Sequence, residues 1–264
     1  VAGRAVRMPD WVAAKIATFR EWSRDIREVD ENVDSYFRDG LGIQEPMRAR
    51  VDMKALEARS VVTDLVSYAV GCMFGRYGLD EPGLILANQG DTLKEYLARI
   101  PEPSFVPDED NVIPVLADDW FDDDIVEQFR LFLRVAFGEE RFEENLRFVE
   151  ESLGKDIRKY FLTDFYKDHV QRYKKRPIYW MFSSPKGTFN ALIYIHRYSP
   201  SAVSTVLNEY LREFQAKLDA ELGNQARIAA DRSASARDKA RAEKESDKIR
   251  KMLAELRDYE HDVL

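Results

Sequence analysis

The chain has 264 residues, of which 45% are hydrophobic, and it carries a formal net charge of -8. This length and apolar content allow a substantial buried core, in one large domain or two small ones. The single cysteine, Cys72, excludes an internal disulfide framework and a multi-cysteine zinc site. The net charge argues against a uniformly basic coat for nucleic acid, because phosphate binding requires accumulated Lys and Arg.

The N-terminal part, residues 1–77, is predicted to be helical. Its predicted helices run from Pro9-Asp10 through Ile26, over residues 30–37 and over residues 53–77. The third helix is apolar nearly all round, which is typical of a buried core helix, and its Gly71-x-x-x-Gly75 spacing allows close approach of another element. Cys72 lies in the same apolar run, which favours a buried thiol over a reactive one.

The sequence contains no pattern of a membrane protein. The apolar run 61–74 is too short to span a bilayer and contains Asp64. The first residues also lack the charged and apolar regions of a signal peptide. We therefore expect a cytoplasmic location and no membrane partner.

Residues 78–120 are predicted to form an irregular wrapping segment, because proline and glycine recur throughout the stretch. One helical turn is expected at 92–98. Phe105-Val106-Pro107 and Val112-Ile113-Pro114 are candidates for anchoring the wrap to a surface. We expect no strand here, and strand elsewhere only in the hairpin described below.

An acidic cluster follows, formed by Asp118, Asp119, Asp122, Asp123 and Asp124. Several carboxylates close together suit a hard cation. However, the spacing lacks the glycine and the distal Glu of an EF-hand loop, and Asp122 to Asp124 directly precede an apolar helical pattern. We interpret them as carboxylates that cap a helix N-terminus, and we expect no metal site.

Residues 121–200 predict helices plus a β-hairpin. The helices are expected at 123–137, 140–153 and 156–173. His169 extends the apolar stripe of the last one and His196 ends a strand, and neither has a Cys or Ser in a catalytic setting. We interpret both as histidines at the edge of the core, and we expect no catalytic residue.

The segment Arg176–Tyr198 reads RPIYWMFSSPKGTFNALIYIHRY. Two runs of aromatic and β-branched residues, near 177–182 and 188–196, flank the turn signal Ser184-Pro185-Lys186-Gly187. An isolated hairpin is not stable in water, so this hairpin is expected to dock on helices.

The last part, residues 201–264, predicts an antiparallel helical hairpin. Pro200-Ser201 opens its first helix, Gly223-Asn224 is expected to end it, and the second helix carries an apolar seam from Ile249 onward. The fold class that these elements predict is mainly α, a multi-helix domain with one docked β-hairpin and a C-terminal antiparallel helical hairpin.

Four segments, in this order and spacing, resemble the C-terminal part of the adenine-specific DNA methyltransferases of bacterial BREX phage-defence systems. Related type IIG restriction-modification enzymes are more distantly similar. The segments are Glu31-Asn32 leading to Gly40-Leu41-Gly42-Ile43-Gln44, then LVSYAVGCMFGRY at 65–77, YFLTDFYKDH at 160–169, and the hairpin sequence. The resemblance runs from about Trp22 to Leu218.

The chain departs from the full pattern of that family. Such enzymes hold the flipped adenine with an Asn/Asp-Pro-Pro-Tyr/Phe loop and receive S-adenosylmethionine at a Gly-rich turn after a strand. This chain has no Pro-Pro dipeptide and no Gly-x-Gly turn in a βαβ setting. The resemblance therefore implies a non-catalytic fragment without a cofactor site, while the parent enzyme uses S-adenosylmethionine to methylate adenine N6.

The candidate DNA-binding residues are Arg172, Lys174, Lys175, Arg176 and Lys186. The first four end a short span rich in Lys and Arg before the hairpin, and Lys186 lies at the hairpin tip. They have two interpretations: contacts to the phosphate backbone, or a solvated helix end whose positive charge suits the helix dipole.

Two functions from different classes follow. In the first, the chain is an accessory region that braces the upstream methyltransferase and target-recognition parts and contacts the phosphates of duplex DNA. In the alternative, it is a docking module for other subunits of the defence complex and does not touch DNA.

Overall fold

The computed structural model describes Arg7, Met8, Asp10 and residues 53–263, with side chains described for the first three and for 58–261. The bodies of the helices predicted from Pro9-Asp10 and at 30–37 lie outside the described residues. The helices are α1 (Met53–Met73), α2 (Leu93–Arg99), α3 (Ile125–Phe137), α4 (Phe142–Leu153), α5 (Ile157–Tyr160), α6 (Tyr166–Arg172), α7 (Ala202–Thr205), α8 (Arg212–Ala230) and α9 (Ala236–Val263). The strands are β1 (Val112–Pro114), β2 (Tyr179–Ser183) and β3 (Asn190–Tyr194).

Short helical turns of other types connect several of these helices. A 3-10 turn, Glu139–Arg141, precedes α4, and another, Ile195–Arg197, follows β3. The π-helical turns Phe161–Phe165 and Val206–Leu211 join α5 to α6 and α7 to α8. The helix predicted at 156–173 is therefore present with a π-helical turn in its middle.

The chain divides into two compact units. The first, the helical unit, consists of Val1–Ala69 and Arg130–Ile157, and the second, the sheet unit, consists of Val70–Phe129 and Arg158–Leu264. In the helical unit, Tyr68 packs edge-on against Phe132, with 6.2 Å between ring centroids. The buried amide oxygen of Asn145 accepts a 2.7 Å hydrogen bond from the backbone N–H of Met8.

The sheet is antiparallel, with strand order β1-β3-β2. β2 pairs with β3 as the hairpin pattern predicts, in a register that sets Tyr179 opposite Tyr194 and Ser183 opposite Asn190. The Pro-Lys-Gly tip lies between these strands, and Gly187 there has a φ of 73°, which suits a residue without Cβ.

The expectation that residues 78–120 contain no strand is wrong. Val112–Pro114 forms β1, which pairs with β3 and sets Val112 opposite Ile193. The segment was expected to be irregular because of its many prolines, but Pro114 ends a three-residue edge strand, where a missing N–H is tolerated. The helical turn expected at 92–98 is α2, which Thr92 caps through a reciprocal capping box with Glu95.

Both faces of the sheet are covered within the sheet unit. On one face, Val112, Ala191 and Ile193 belong to a buried cluster with apolar residues of the Val206–Leu211 turn, α8 and α9. On the other face, Tyr179 stacks on Phe74, with 5.2 Å between ring centroids. The hairpin is thus docked on helices, and each large apolar side chain buried there contributes about 1.5–3 kcal/mol.

The C-terminal helical hairpin is present, but its predicted turn is wrong. Helix α8 continues through Gly223 to Ala230, and the chain reverses at 231–235. Arg212 pairs with Glu260 at 2.8 Å and Arg257 with Asp219 at 3.7 Å, which makes α8 and α9 antiparallel. A glycine inside a helix costs only about 1 kcal/mol, which the packing of α8 against α9 offsets.

A buried carboxylate joins the tip of the β-hairpin to α9. Glu255 is 8% exposed, and its Oε1 accepts 2.7 Å hydrogen bonds from the Ser184 hydroxyl and the Lys186 N–H. Its Oε2 accepts a hydrogen bond from the Thr188 hydroxyl. Burial works against ionisation, but the bonds from Thr188 and Ser184 outweigh it and lower the pKa of Glu255.

The end of α1 is packed as its glycines predict. A Cβ at Gly71 would clash with the Tyr77 ring, and Gly75 has a φ of 75°. Cys72 is buried.

Within the described residues, no helix combines the length and the apolarity that crossing a membrane requires. The architecture confirms the predicted class, a mainly helical fold with a docked β-hairpin and a C-terminal helical hairpin.

Candidate nucleic-acid interface

The candidate interface is centred on the turn between α6 and β2, residues 172–176, which we call the basic turn. Its four cationic side chains, Arg172, Lys174, Lys175 and Arg176, are all exposed. The structure thus brings together four of the five residues that the sequence nominated for DNA binding.

A Schellman motif fixes the shape of the basic turn. The Lys175 N–H donates to the Val170 carbonyl at 2.8 Å, and the Lys174 N–H donates to the Gln171 carbonyl at 3.0 Å. Lys174 has a φ of 50° and Lys175 a φ of 64°, both in the left-handed region. Glycine is the usual residue at the first of these positions, and a residue with a Cβ costs about 1–2 kcal/mol more there. The chain therefore places two lysines where its backbone favours glycine.

Lys186 lies apart from the basic turn. The length of β2 separates them, about 15 Å along the strand at ~3.3 Å per residue. Lys186 is exposed at the hairpin tip, and it lines an open groove with Lys244, Lys248 and Lys251 of α9. Glu243, Glu245 and Asp247 line the same groove, so its charge is mixed. The five candidate residues therefore belong to two separate surfaces.

His169 ties α6 to the start of β2 and so holds the two ends of the basic turn. Its Nε2 accepts hydrogen bonds from the backbone N–H groups of Ile178, at 3.1 Å, and Tyr179, at 3.2 Å. Burial lowers the pKa of His169 to about 4, and the charges of Arg172 and Arg76 act in the same direction. The imidazole is therefore neutral at neutral pH, which leaves Nε2 available as an acceptor.

A half-buried cation, Arg76, lies beside the basic turn. Its Nη1 donates to the Tyr194 hydroxyl at 2.9 Å and its Nε donates to the Tyr77 hydroxyl at 3.3 Å. Burial raises the pKa of Tyr173, the residue between Arg172 and Lys174, while the charge of Arg76 acts against that rise. Sequence reasoning missed Arg76, because a lone arginine after an apolar helix carries no pattern of its own.

The acidic cluster before α3 has structural partners. Asp124 is fully buried, and its Oδ1 accepts a 2.9 Å hydrogen bond from the Val126 N–H at the start of α3. Arg158 donates to both carboxylate oxygens of Asp124, at 3.0 and 3.1 Å. Burial raises the pKa of Asp124, and the bond and charge of Arg158 oppose that rise. Asp124 is thus the capping carboxylate that the sequence indicates, and Arg158 of the basic span forms an ion pair within the fold.

The arrangement as a whole is suited to binding anions. The described part of the chain contains no group of three or more His, Cys, Asp or Glu residues arranged to hold a metal ion. What it offers is exposed positive charge on a fixed turn, with tyrosine hydroxyls and one half-buried guanidinium next to it. Such groups bind phosphate without reading bases.

The sequence of the chain is related to a region of the adenine-specific methyltransferases of BREX systems. The chain is 38% identical, over 218 residues and 75% of its length, to the adenine-specific methyltransferase BrxX of Escherichia coli O9:H4 (strain HS). It is 33% identical over 229 residues, 78% of its length, to the adenine-specific methyltransferase PglX of Lacticaseibacillus casei (strain Zhang). The matched segments make up 18% and 19% of those proteins, so the chain spans under a fifth of their length. No protein-family model matches the chain.

Proposed function

We propose that the chain is a non-catalytic accessory region of an adenine-N6 DNA methyltransferase in bacterial phage defence. In this proposal it braces the target-recognition part, and its basic turn contacts the phosphates of duplex DNA. The parent enzyme takes its methyl group from S-adenosylmethionine and acts in the cytoplasm. The kinship with BrxX and PglX supports the enzyme class. The DNA contact is supported by one observation, the exposed cations of the basic turn.

The geometry of the turn favours phosphate binding over a merely solvated helix end. A helix C-terminus accepts cations anywhere in its last turn, so the dipole alone does not require lysine in the left-handed region. Lys174 and Lys175 nevertheless occupy two consecutive left-handed positions. A conformational cost retained at two exposed positions is typical of functional sites. We infer that the charge of these side chains, and not the stability of the turn, keeps lysine there.

The test is a quadruple variant of the basic turn, Arg172→Gln, Lys174→Gln, Lys175→Gln and Arg176→Gln. Affinity for duplexes of any sequence should fall to a similar extent, and each lost phosphate contact should lower the salt slope by about 0.9. The matched control replaces four exposed cations of the helical hairpin, Arg227, Arg232, Arg237 and Arg241, with Gln. It changes the net charge equally and should leave the salt slope near that of the wild type.

A single substitution, Lys174→Gly, separates the two interpretations of the turn. Glycine suits the left-handed backbone, so the free energy of unfolding should stay the same or rise by up to about 1 kcal/mol. DNA affinity should nevertheless fall, because one phosphate contact is lost. If the quadruple variant and the Lys174→Gly variant both bind DNA as tightly as the wild type does, the basic turn has no DNA role. The alternative function, a docking module for other subunits of the defence complex, then becomes the better explanation.

A further inference from the structure

Arg76 is a half-buried cation whose partners are all neutral. Its guanidinium donates to the hydroxyls of Tyr77 and Tyr194, and it lies 5.5 and 6.0 Å from the centroids of the same two rings. The Tyr194 hydroxyl in turn donates to the Leu86 carbonyl at 2.7 Å, so it is oriented to accept from Arg76. Within the described residues, the partners of Arg76 are these tyrosines and not a carboxylate.

The other buried guanidinium groups of the sheet unit have different partners. Arg158 forms a bidentate pair with Asp124, whereas Arg197 donates to the backbone carbonyls of Asp108 and Glu109, both at 2.8 Å. Burial works against the charged form of Arg76, but its hydrogen bonds with Tyr77 and Tyr194 outweigh burial and raise its pKa. Arg76 therefore stays charged, and an anion from outside the described residues would meet no competing carboxylate on it.

The surroundings of Arg76 suit an oxyanion. Tyr77 and Tyr173 are partly exposed, so the site is open to solvent, and a phenol hydroxyl can donate to a phosphate oxygen. The charges of Arg172 and Arg76 both act on His169 and, after burial, help to lower its pKa. His169 is 2% exposed, and its buried Nδ1 has no hydrogen-bond partner. The hydrogen bonds of Arg76 described above go to neutral hydroxyls, those of Tyr77 and Tyr194.

We propose that Arg76 binds a phosphate of the DNA backbone, with the hydroxyls of Tyr77 and Tyr173 as further donors. The inference rests on the proposed DNA contact and extends it inward from the basic turn. It assigns the phosphate to a fixed, partly desolvated guanidinium, which binds it more strongly than a flexible surface lysine does. The DNA strand that lies next to the basic turn would thus be bound at two depths, by the exposed cations of the turn and by Arg76.

The first test uses the wild-type chain and inorganic phosphate at constant ionic strength. The Arg76 Nε–H resonance should shift saturably on titration with phosphate, and it should not shift on titration with chloride. Duplex DNA should shift the same resonance. A shift with phosphate and none with DNA would overturn the assignment to the DNA backbone, and no shift with either would overturn the site altogether.

The second test compares Arg76→Gln with Arg99→Gln, which removes an exposed arginine at the end of α2. Arg76→Gln should weaken binding to nonspecific duplex by about tenfold to a hundredfold, since a hydrogen bond to a charged group is lost. Arg99→Gln should bind as the wild type does. If circular dichroism shows that Arg76→Gln is unfolded, Tyr173→Phe replaces it as the test variant. Tyr173→Phe removes only a hydroxyl, so a smaller loss of affinity is expected.

The outcomes distinguish this inference from the proposed function. If the quadruple variant of the basic turn loses affinity while Arg76→Gln and Tyr173→Phe keep it, the accessory DNA contact stands and the Arg76 site is rejected. If Arg76→Gln loses affinity while the quadruple variant keeps it, Arg76 is a phosphate site and the role proposed for the basic turn fails.

Discussion

At the scale of single residues, Asp108 is held among other carboxyls. Its Oδ1 and that of Asp110 accept hydrogen bonds from the same Val112 N–H, at 3.0 and 2.9 Å. Asp110 and a third acid, Asp123, both lie within hydrogen-bonding distance of the Tyr210 hydroxyl, at 2.9 and 2.7 Å. That hydroxyl has a single proton, so it can donate to only one of the two carboxyl groups, and the other group lies beside it without receiving that proton. The closely spaced carboxyl groups thus favour retention of a proton within the cluster.

We predict that Asp108→Asn removes a pH dependence of stability. Burial, followed by the charge of Asp110, raises the pKa of Asp108 to about 8 in the folded chain, against ~3.9 when unfolded. Between these values the folded state keeps a proton that the unfolded state releases, so wild-type stability falls as pH rises through this range. Asparagine is neutral throughout, so from pH 5 to 8 the variant should lose less stability than the wild type, by about 1 kcal/mol or more. Urea unfolding at several pH values measures this.

The control for that prediction is Asp122→Asn, at an exposed position next to Asp123. It removes the same charge from the surface and should leave the pH dependence close to that of the wild type. Parallel stability curves for the wild type and Asp108→Asn would show that the carboxyl is ionised in the folded chain, and that the cluster does not retain a proton at Asp108.

At the scale of elements, the helical hairpin shows which signals decide where a helix ends. Gly223-Asn224 is a local stop signal, yet α8 continues for seven residues beyond Gly223, to Ala230. The reversal occurs instead at 231–235, where the Asp231 carboxylate accepts from both the N–H and the hydroxyl of Ser233, at 2.8 and 2.7 Å. Packing against α9 therefore outweighs the helix-breaking tendency of a glycine, while an Asx-type turn sets the true end.

We predict that Gly223→Ala stabilises the chain. The position is helical, and a Cβ built there meets nothing within 4 Å. Alanine should therefore raise the free energy of unfolding by about 0.5–1 kcal/mol, since it loses less backbone entropy on folding and favours the helix. Chemical denaturation measures the change, and the helical circular dichroism signal should not decrease.

Gly154→Ala is the matched comparison. A Cβ at Gly154 also meets nothing within 4 Å, but its φ is 72°, at the C-cap of α4. The two glycines thus differ in backbone conformation and not in available space. Alanine at 154 should cost about 1 kcal/mol, because a Cβ is strained in the left-handed region. If Gly223→Ala destabilises the chain as much as Gly154→Ala does, the helical continuation through Gly223 is wrong.

At the scale of the whole molecule, the sequence predicted what depends on neighbouring residues. The hairpin follows from two apolar runs around a Pro-Lys-Gly tip, and the exposed cations of the basic turn follow from a polar run after a helix. Strand β1 could not be predicted in this way, because its partner Ile193 lies 81 residues after Val112. The surroundings of Arg76 are equally nonlocal, since Tyr77, Tyr173 and Tyr194 come from three separate segments.

We predict that the chain as a whole neither binds S-adenosylmethionine nor methylates DNA by itself. The residue types for both tasks are missing, since there is no Pro-Pro dipeptide in the sequence to hold a flipped adenine. Of the three described strands, all are antiparallel, and none begins the βαβ unit whose Gly-rich turn receives such a cofactor. Calorimetry should show no heat of binding beyond dilution, with an intact adenine-specific methyltransferase as the positive control. Micromolar binding by this chain would contradict the accessory assignment, because it would require a cofactor site within these 264 residues.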